Sequence, residues 1–285
     1  MGEGLAGDSF GTRLQASIER RGVLCVGIDP HPELLAAWGL DLDVAGLESF
    51  ALTAAAAIGD VAAVVKPQSA FFEAFGSAGI AVLERTIAAL QQAGALVLLD
   101  AKRGDIGSTM QAYARAYLED GSPLAVDALT VSPFLGLGSL HPAVLAARRS
   151  GRGLFVLCRT SNADGRQVQL ATGPDGRSVA QRIVDEVAAL NDGALPLGSF
   201  GVVIGATVGE LDVDISSLNG PVLAPGLGAQ GAGPDELRRV FGDRLPAVLP
   251  ASSREILRAG PAAHALRDAV RRQNADFRSN HSSDG

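Results

Sequence analysis

Four charged side chains lie just after two apolar segments, and their types suit proton transfer and charge stabilisation. Lys66 follows one segment directly, and Asp100, Lys102 and Asp105 come in quick succession after the other. Residues two apart share a face of an extended strand, so Asp100 and Lys102 are expected to point to the same side. A solvated rim of salt bridges is the alternative. Burying four charges at the ends of apolar strands is costly, however, which favours a function for them.

Two later segments could bind phosphate. Residues 225–231 read Pro-Gly-Leu-Gly-Ala-Gln-Gly and precede a helix predicted to begin near Pro234, so glycine amides could approach a phosphate closely. The spacing G-x-G-x-x-G also allows a dinucleotide site, but only one strand and one helix follow, which disfavours it. After the last apolar run, Arg254 offers a forked donor, and the capping-box spacing of Ser252 and Glu255 predicts a helix N-terminus beside it. A capped helix with a solvated arginine is the alternative.

Eight apolar runs separated by helical segments must position these residues. The runs do not alternate in polarity, which is typical of parallel strands covered on both faces. Eight strands, each followed by a helical segment, predict an α/β fold of the (β/α)8 TIM barrel class in a single domain, in preference to an open doubly wound sheet. A barrel carries its site at the carboxyl ends of the strands and often binds phosphate in its last two loops. The predicted strands are Val23–Ile28, Ala62–Val65, Ala95–Leu99, Ala128–Val131, Gly153–Cys158, Phe200–Ile204, Pro221–Ala224 and Ala247–Leu249.

The composition limits which class of protein this chain can be and which partners it can bind. With 285 residues, 47% of them hydrophobic and 19% charged, the chain can bury a sizeable core. A net charge of −7 argues against a nucleic-acid partner. No apolar run has the length of a membrane span or the character of a signal peptide, so we expect a soluble, cytoplasmic protein. We also expect an N-terminal extension over 1–20, the barrel over 21–270 and a polar, flexible tail over 271–285.

Taken together, these motifs resemble those of the orotidine 5′-phosphate decarboxylase family. The pattern D-x-K-x-x-D-I at 100–106 and the preceding K-P-Q at 66–68 are most similar to its longer, bacterial-type branch, and the resemblance runs from about Val23 to Gly260. It implies the decarboxylation of orotidine 5′-phosphate to uridine 5′-phosphate in pyrimidine biosynthesis, with no cofactor and no metal. It also implies a homodimer with a small-molecule nucleotide substrate.

The resemblance further implies a catalytic network of alternating charge. Lys66, Asp100, Lys102 and Asp105 match the two lysines and two aspartates of the family. Lys102 would stabilise the negative charge that develops at C6 of the pyrimidine and then donate the proton. Asp100 would lie against the departing carboxylate.

By the same resemblance, four residues bind the substrate. Gln230 matches the family's glutamine that contacts phosphate and base, and Arg254 would bind the same phosphate. Asp29 matches the residue that binds a ribose hydroxyl, although a turn formed by Asp-Pro is the alternative. Ser132 would contact the pyrimidine.

The resemblance also implies a site shared between subunits. Asp105, Ile106 and Thr109 would reach the site of the neighbouring chain. For Thr109 the alternative is that it caps the helix that follows Asp105.

Two other functions stay open on the residues alone. A magnesium-dependent sugar-phosphate decarboxylase or aldolase-like relative shares the D-x-K-x-x-D strand, but by resemblance such enzymes place a carboxylate where this chain has Lys66. A catalytically silent nucleotide-binding barrel is the other possibility, and the intact set of four charged residues argues against it.

Overall fold

The strands of the chain form a closed parallel barrel. In the computed structural model, which describes residues 8–209, 211–227, 233–242 and 248–278, eight strands follow one another around the barrel in chain order. Cys25 of the first strand pairs with Val64 of the second and with Ala251 of the eighth. The predicted (β/α)8 barrel is therefore confirmed. The strands are β1 Cys25–Ile28, β2 Val64–Pro67, β3 Leu96–Arg103, β4 Ala128–Val131, β5 Gly153–Arg159, β6 Phe200–Ile204, β7 Val222–Pro225 and β8 Val248–Ser252.

Helices follow most of the strands. The described residues between β6 and β7 form turns and no helix, so the expectation of a helix after every strand is wrong there. That segment is rich in Gly, Asp, Ser and Asn, which favour turns. The α-helices are α1 Phe10–Arg21, α2 Pro32–Ala37, α3 Val44–Ile58, α4 Ser69–Glu73, α5 Gly76–Gln92, α6 Gly107–Leu118, α7 His141–Arg149, α8 Arg166–Gln169, α9 Val179–Leu190, α10 Pro234–Phe241, α11 Arg254–Leu257 and α12 Ala263–Arg278.

None of the helices in the described part of the chain combines the length and the hydrophobicity that crossing a bilayer requires. The cytoplasmic location stays a prediction.

Five strands extend beyond the apolar runs that predicted them. The runs end at Val65, Leu99, Cys158, Ala224 and Leu249, whereas the strands end at Pro67 (β2), Arg103 (β3), Arg159 (β5), Pro225 (β7) and Ser252 (β8). An apolar run marks the part of a strand that is packed on both faces, but backbone pairing does not depend on side-chain polarity. The charged strand ends therefore belong to the barrel rather than to its loops.

The chain groups into two compact units. One consists of Met1–Gln15 and Lys102–Pro250 and is called here the β4–β7 unit, after the strands that lie wholly within it. The other consists of Ala16–Ala101 and Ala251–Gly285 and is called the β1–β2 unit. No composition break in the sequence marks either boundary.

The first and last helices are packed elements. Phe10 of α1 is fully buried in the β4–β7 unit, with its ring edge-on to Phe155 at 6.0 Å. In the β1–β2 unit, the Asn274 side chain of α12 accepts a hydrogen bond from Leu24 N–H at 3.2 Å and donates one to the Arg21 carbonyl at 3.1 Å. Residues 10–20 of the predicted extension and 271–278 of the predicted polar tail therefore belong to packed helices.

Candidate active site

A buried ammonium stands at the carboxyl end of β2 in the β1–β2 unit. The Lys66 side chain is 7% exposed, its Nζ donates a hydrogen bond of 3.1 Å to Oδ2 of Asp100, and Oδ1 of Asp29 lies 3.8 Å away. Burial alone would lower the pKa of Lys66, but the negative charges of Asp29 and Asp100 outweigh it and the pKa is raised above its ordinary value. The structure thus brings three predicted site residues together, with the carboxylates of Asp29 and Asp100 beside the amine of Lys66.

Asp100 has a second donor, Gln68, which the sequence analysis did not assign a role. Nε2 of Gln68 donates to the same Oδ2 at 2.9 Å, and the two residues form a parallel backbone bridge. Two donors on one carboxylate oxygen hold the group in one orientation. The available signal was the position of Gln68 directly after Lys66 and Pro67, at the end of β2.

The side chains of Asp29 and Ser253 border a gap that exists because Gly27 has no β-carbon. A β-carbon at Gly27 would stand 3.4 Å from Oδ1 of Asp29 and 3.0 Å from Oγ of Ser253. The turn after β1 uses the backbone of Asp29, whose carbonyl accepts from His31 N–H at 2.7 Å. Its carboxylate is therefore not used in that turn and is left to face Lys66.

Lys102 belongs to the β4–β7 unit and has an unusual backbone. Its φ is 49°, in the left-handed region that residues other than glycine rarely adopt. Its N–H donates to Oγ1 of Thr130 at 2.9 Å, and the residue is exposed. The alternation argument that related its direction to that of Asp100 assumes extended backbone at every step, which Lys102 does not have, so their shared direction stays a prediction. Strained backbone of this kind is concentrated at functional sites.

The residues expected to reach a neighbouring subunit lie at the start of α6, in the same unit. Oδ1 of Asp105 accepts a hydrogen bond from Ile106 N–H at 2.7 Å, and Ile106 is the N-cap residue and 62% exposed. Thr109 is exposed within the helix. The helix begins at Gly107 with Ile106 as its N-cap, so the capping alternative for Thr109 is wrong.

Ser132 lies at the end of β4 and is tied to the end of β3. Its N–H donates to the carbonyl of Arg103 at 2.8 Å, and the residue is half-buried. A side chain at Gly104 would collide with the carbonyl oxygen of Ser132, so this approach requires glycine. The segments that follow β3 and β4 therefore run side by side.

The predicted phosphate loops are described only in part. Gln230 lies outside the described residues. Arg254 is half-buried and begins α11, whose N-cap is Ser253 without a side-chain capping bond. The predicted capping box of Ser252 and Glu255 is wrong, because Ser252 still belongs to β8.

A buried arginine ends β5, and the sequence analysis missed it. Arg159 is 2% exposed, and its Nε donates to both carboxylate oxygens of Asp212 at 3.1 Å. Its Nη1 donates to the Thr160 carbonyl at 2.9 Å. Like Lys66, it is a charge directly after an apolar run, so the signal was present in the sequence.

Known proteins are similar to this chain in sequence and in fold over nearly its full length. The profile of the orotidine 5′-phosphate decarboxylase / HUMPS family matches residues 22–269. An orotidine 5′-phosphate decarboxylase of Salinispora arenicola is 62% identical over 271 residues, which cover 95% of this chain and 98% of the relative. A solved structure from Streptomyces avermitilis is 56% identical, with a TM-score of 0.94 over 98% of each chain. The structure of Leishmania donovani OMP decarboxylase is 31% identical, with a TM-score of 0.70 over 94% of this chain and 99% of that one.

Proposed function

This chain belongs to the orotidine 5′-phosphate decarboxylase / HUMPS family, and on that basis we propose that it converts orotidine 5′-phosphate to uridine 5′-phosphate and CO2 in pyrimidine biosynthesis. The observation that carries the proposal is the buried Lys66 ammonium hydrogen-bonded to Asp100, on the neighbouring strands β2 and β3. The reaction must stabilise a carbanion, and fixed charges shielded from water do so most strongly.

The reaction needs a proton donor at C6 of the pyrimidine. When the bond between C6 and the carboxylate breaks, CO2 leaves and the electron pair stays on C6. We assign the donor role to Lys102, whose ammonium stabilises that pair and transfers one proton from Nζ to C6. The neutral amine then regains a proton from solvent. The family's D-x-K motif and the strained backbone of Lys102 support this assignment.

Lys66 and Asp100 supply fixed charges for the same step. Asp100 faces the departing carboxylate in this proposal, and its two donors, Lys66 and Gln68, hold it in place. The raised pKa of Lys66 keeps the amine protonated throughout the neutral range. Asp105 completes the alternating set of charges.

Four residues bind the rest of the substrate in this proposal. Asp29 binds a ribose hydroxyl, Ser132 contacts the pyrimidine, and Gln230 and Arg254 bind the phosphate. The phosphate is remote from C6, so its binding energy serves to position the ring. The position of Asp29 beside Lys66 supports its part in this arrangement.

A homodimer completes the proposed site, with Asp105, Ile106 and Thr109 reaching the site of the neighbouring chain. Exposed apolar side chains in the segments after β3 and β4 support a second copy as the partner. Ile106 is 62% exposed, Phe134 77% and Leu135 52%. Water-exposed apolar side chains grouped in this way are typical of protein–protein contacts.

A metal-dependent reaction like that of other members of the family is disfavoured by the side chains at the end of β2 and beside it. Such a site needs a carboxylate where this chain has Lys66, and an ammonium with a raised pKa repels a divalent cation. Asp29 and Asp100 already have Lys66 as their counter-charge.

The proposal is tested by incubating the protein with orotidine 5′-phosphate in excess EDTA while the absorbance of the orotate ring is followed. We expect turnover at the same rate with and without EDTA. Absence of turnover would refute the decarboxylase function. Turnover that EDTA abolishes would refute the metal-free mechanism and favour the magnesium-dependent relatives.

A further inference from the structure

Two buried polar atoms beside Gly27 lack the hydrogen bond that such atoms normally make, although one of them, Oδ1 of Asp29, lies 3.8 Å from the Lys66 ammonium. Oδ1 of Asp29 and Oγ of Ser253 are shielded from solvent, and neither makes a hydrogen bond within the part of the chain that the structure describes. An unpaired buried donor or acceptor is costly, so native structures nearly always supply a partner. A bound ligand can supply it from outside the chain.

Both atoms border the gap at Gly27. A β-carbon there would lie 2.7 Å from Cβ of Ser253 and 3.4 Å from Oδ1 of Asp29, so any residue other than glycine would fill the space between them. Gly27 pairs in register with Lys66, and residues paired in register place their side chains on the same face of a sheet. The gap therefore opens on the face that carries the Lys66 ammonium.

The chemistry of the two atoms selects the ligand group. A carboxylate oxygen only accepts hydrogen bonds, whereas a serine hydroxyl both donates and accepts. A single group that satisfies both atoms must donate to Asp29, and Ser253 can donate to that group or accept from it. An alcohol fits both atoms. An ionised phosphate cannot donate and is repelled by Asp29, and a second ammonium would be repelled by that of Lys66, 3.8 Å from the same carboxylate oxygen.

Ser252 provides an internal comparison. Its Oγ is also buried without a hydrogen bond. It pairs in register with Val26, however, which is next to Gly27 in β1 and therefore on the opposite face of the sheet. Ser252 does not border the gap.

We propose that Ser253 and Asp29 together bind one hydroxyl group of the substrate's sugar, with Ser253 donating to its oxygen and Asp29 accepting from it. The inference rests on the proposed function, because it takes the sugar to be the ribose of the nucleotide. Ser253 is then a specificity residue. A deoxy substrate that lacks this hydroxyl leaves both atoms unpaired, and the site discriminates against it.

The test compares Ser253→Ala with Ser252→Ala as the matched control. Each is assayed with orotidine 5′-phosphate and with its 2′-deoxy and 3′-deoxy forms. We expect Ser253→Ala to lower kcat/KM for the ribonucleotide about fivefold and to leave unchanged the deoxy form that lacks the bound hydroxyl. Ser252→Ala should match the wild type with all three. Ser253→Cys, a similar shape with a weaker donor, takes the place of the alanine variant if that variant does not fold.

Equal losses with all three substrates would overturn the assignment, because the hydroxyl would then act on the phosphate or on the fold. Unchanged kinetics with all three would overturn it as well. Failure of the proposed function is a different result, since the wild type itself would then not turn over. In that case, titration with uridine 5′-phosphate and its deoxy forms tests the hydroxyl contact directly, and equal affinities would overturn it.

Discussion

At the scale of single residues, the proposed mechanism uses a buried charge pair and a strained lysine. Lys66 and Asp100 are hydrogen-bonded and shielded from water, so their orientation is set before substrate binds. Lys102 has a left-handed backbone, and its N–H is bound by the side chain of Thr130. Groups fixed in advance need little reorganisation during the reaction, which is how charged sites lower barriers.

Two substitutions of Lys102 separate the effect of its ammonium on turnover from the effect of its backbone conformation on stability. Lys102→Ala and Lys102→Gly both remove the ammonium, so each should lose nearly all turnover while still binding nucleotide. Glycine adopts a φ of 49° without a steric penalty, so the glycine variant should be more stable in urea by about 1 kcal/mol. An alanine variant that keeps about a tenth of the wild-type kcat would remove Lys102 from the donor role.

Gln68 is expected to act by positioning Asp100. Gln68→Leu removes the amide donor at similar size, and we expect kcat to fall about tenfold or more with little change in KM. Gln68→Glu places a second carboxylate against Asp100 and should lose more. Thermal unfolding of both variants is the control for folding. Wild-type kinetics in both would show that Asp100 keeps its orientation without this contact.

At the scale of elements, the ends of strands explain which site residues the sequence could predict. Lys66 and Asp100 are charges that end apolar runs, and the barrel brings such ends together. Arg159 also follows an apolar run directly and carries the same signal, but it was given no role because no recognised motif includes it. Gln68 has no charge, so a search for charges at strand ends does not select it, although it directly follows Lys66 and Pro67.

Contacts between distant segments account for what the sequence did not predict. The backbone of Lys102 is bound by Thr130, which comes 28 positions later, and no local pattern reports such a contact. The polar segment after residue 270 has little apolar content, yet α12 packs there through Asn274 and the buried ring of Phe277. Hydrophobic periodicity cannot reveal a helix end that is held by one amide and one ring.

Asn274→Ala tests that packing. The substitution leaves the N–H of Leu24 and the carbonyl of Arg21 without their side-chain partner, and we expect a loss of about 1–3 kcal/mol in the free energy of unfolding. Arg272→Ala, at an exposed position of the same helix, is the control and should stay within about 0.5 kcal/mol of the wild type. Equal urea midpoints for the two variants would contradict this account of the helix end.

At the scale of the whole molecule, the proposed enzyme is complete only as a pair of chains. Asp105, Ile106 and Thr109 are assigned to the neighbouring site, while Lys66, Asp100 and Lys102 act in their own chain. A mutation in the first set therefore damages the site of the partner chain, and a mutation in the second set damages the site of the mutated chain itself.

Complementation between inactive variants tests this arrangement. Lys102→Ala and Asp105→Ala homodimers should both be inactive. In a hybrid dimer, one site carries both lesions and the other takes Lys102 from one chain and Asp105 from the other, so it is intact. Random co-expression makes half of the dimers hybrid, and roughly 25% of the wild-type activity should return.

The hybrids must be verified before activity is interpreted, because a stable dimer exchanges subunits slowly. Chains with two different affinity tags allow hybrids to be purified and counted. If purified hybrids regain no activity, Asp105 acts within its own chain.

The position of Lys66 between Asp29 and Asp100 also limits which side chains can replace it. One positive charge balances two largely buried negative ones. Replacing Lys66 with an acidic residue would leave three carboxylates facing one another, and the free energy of unfolding would fall unless a divalent cation bound among them. One substitution would thus make folding depend on a metal ion. The lysine therefore occupies the place that a cation would take in the metal-dependent chemistry of the family.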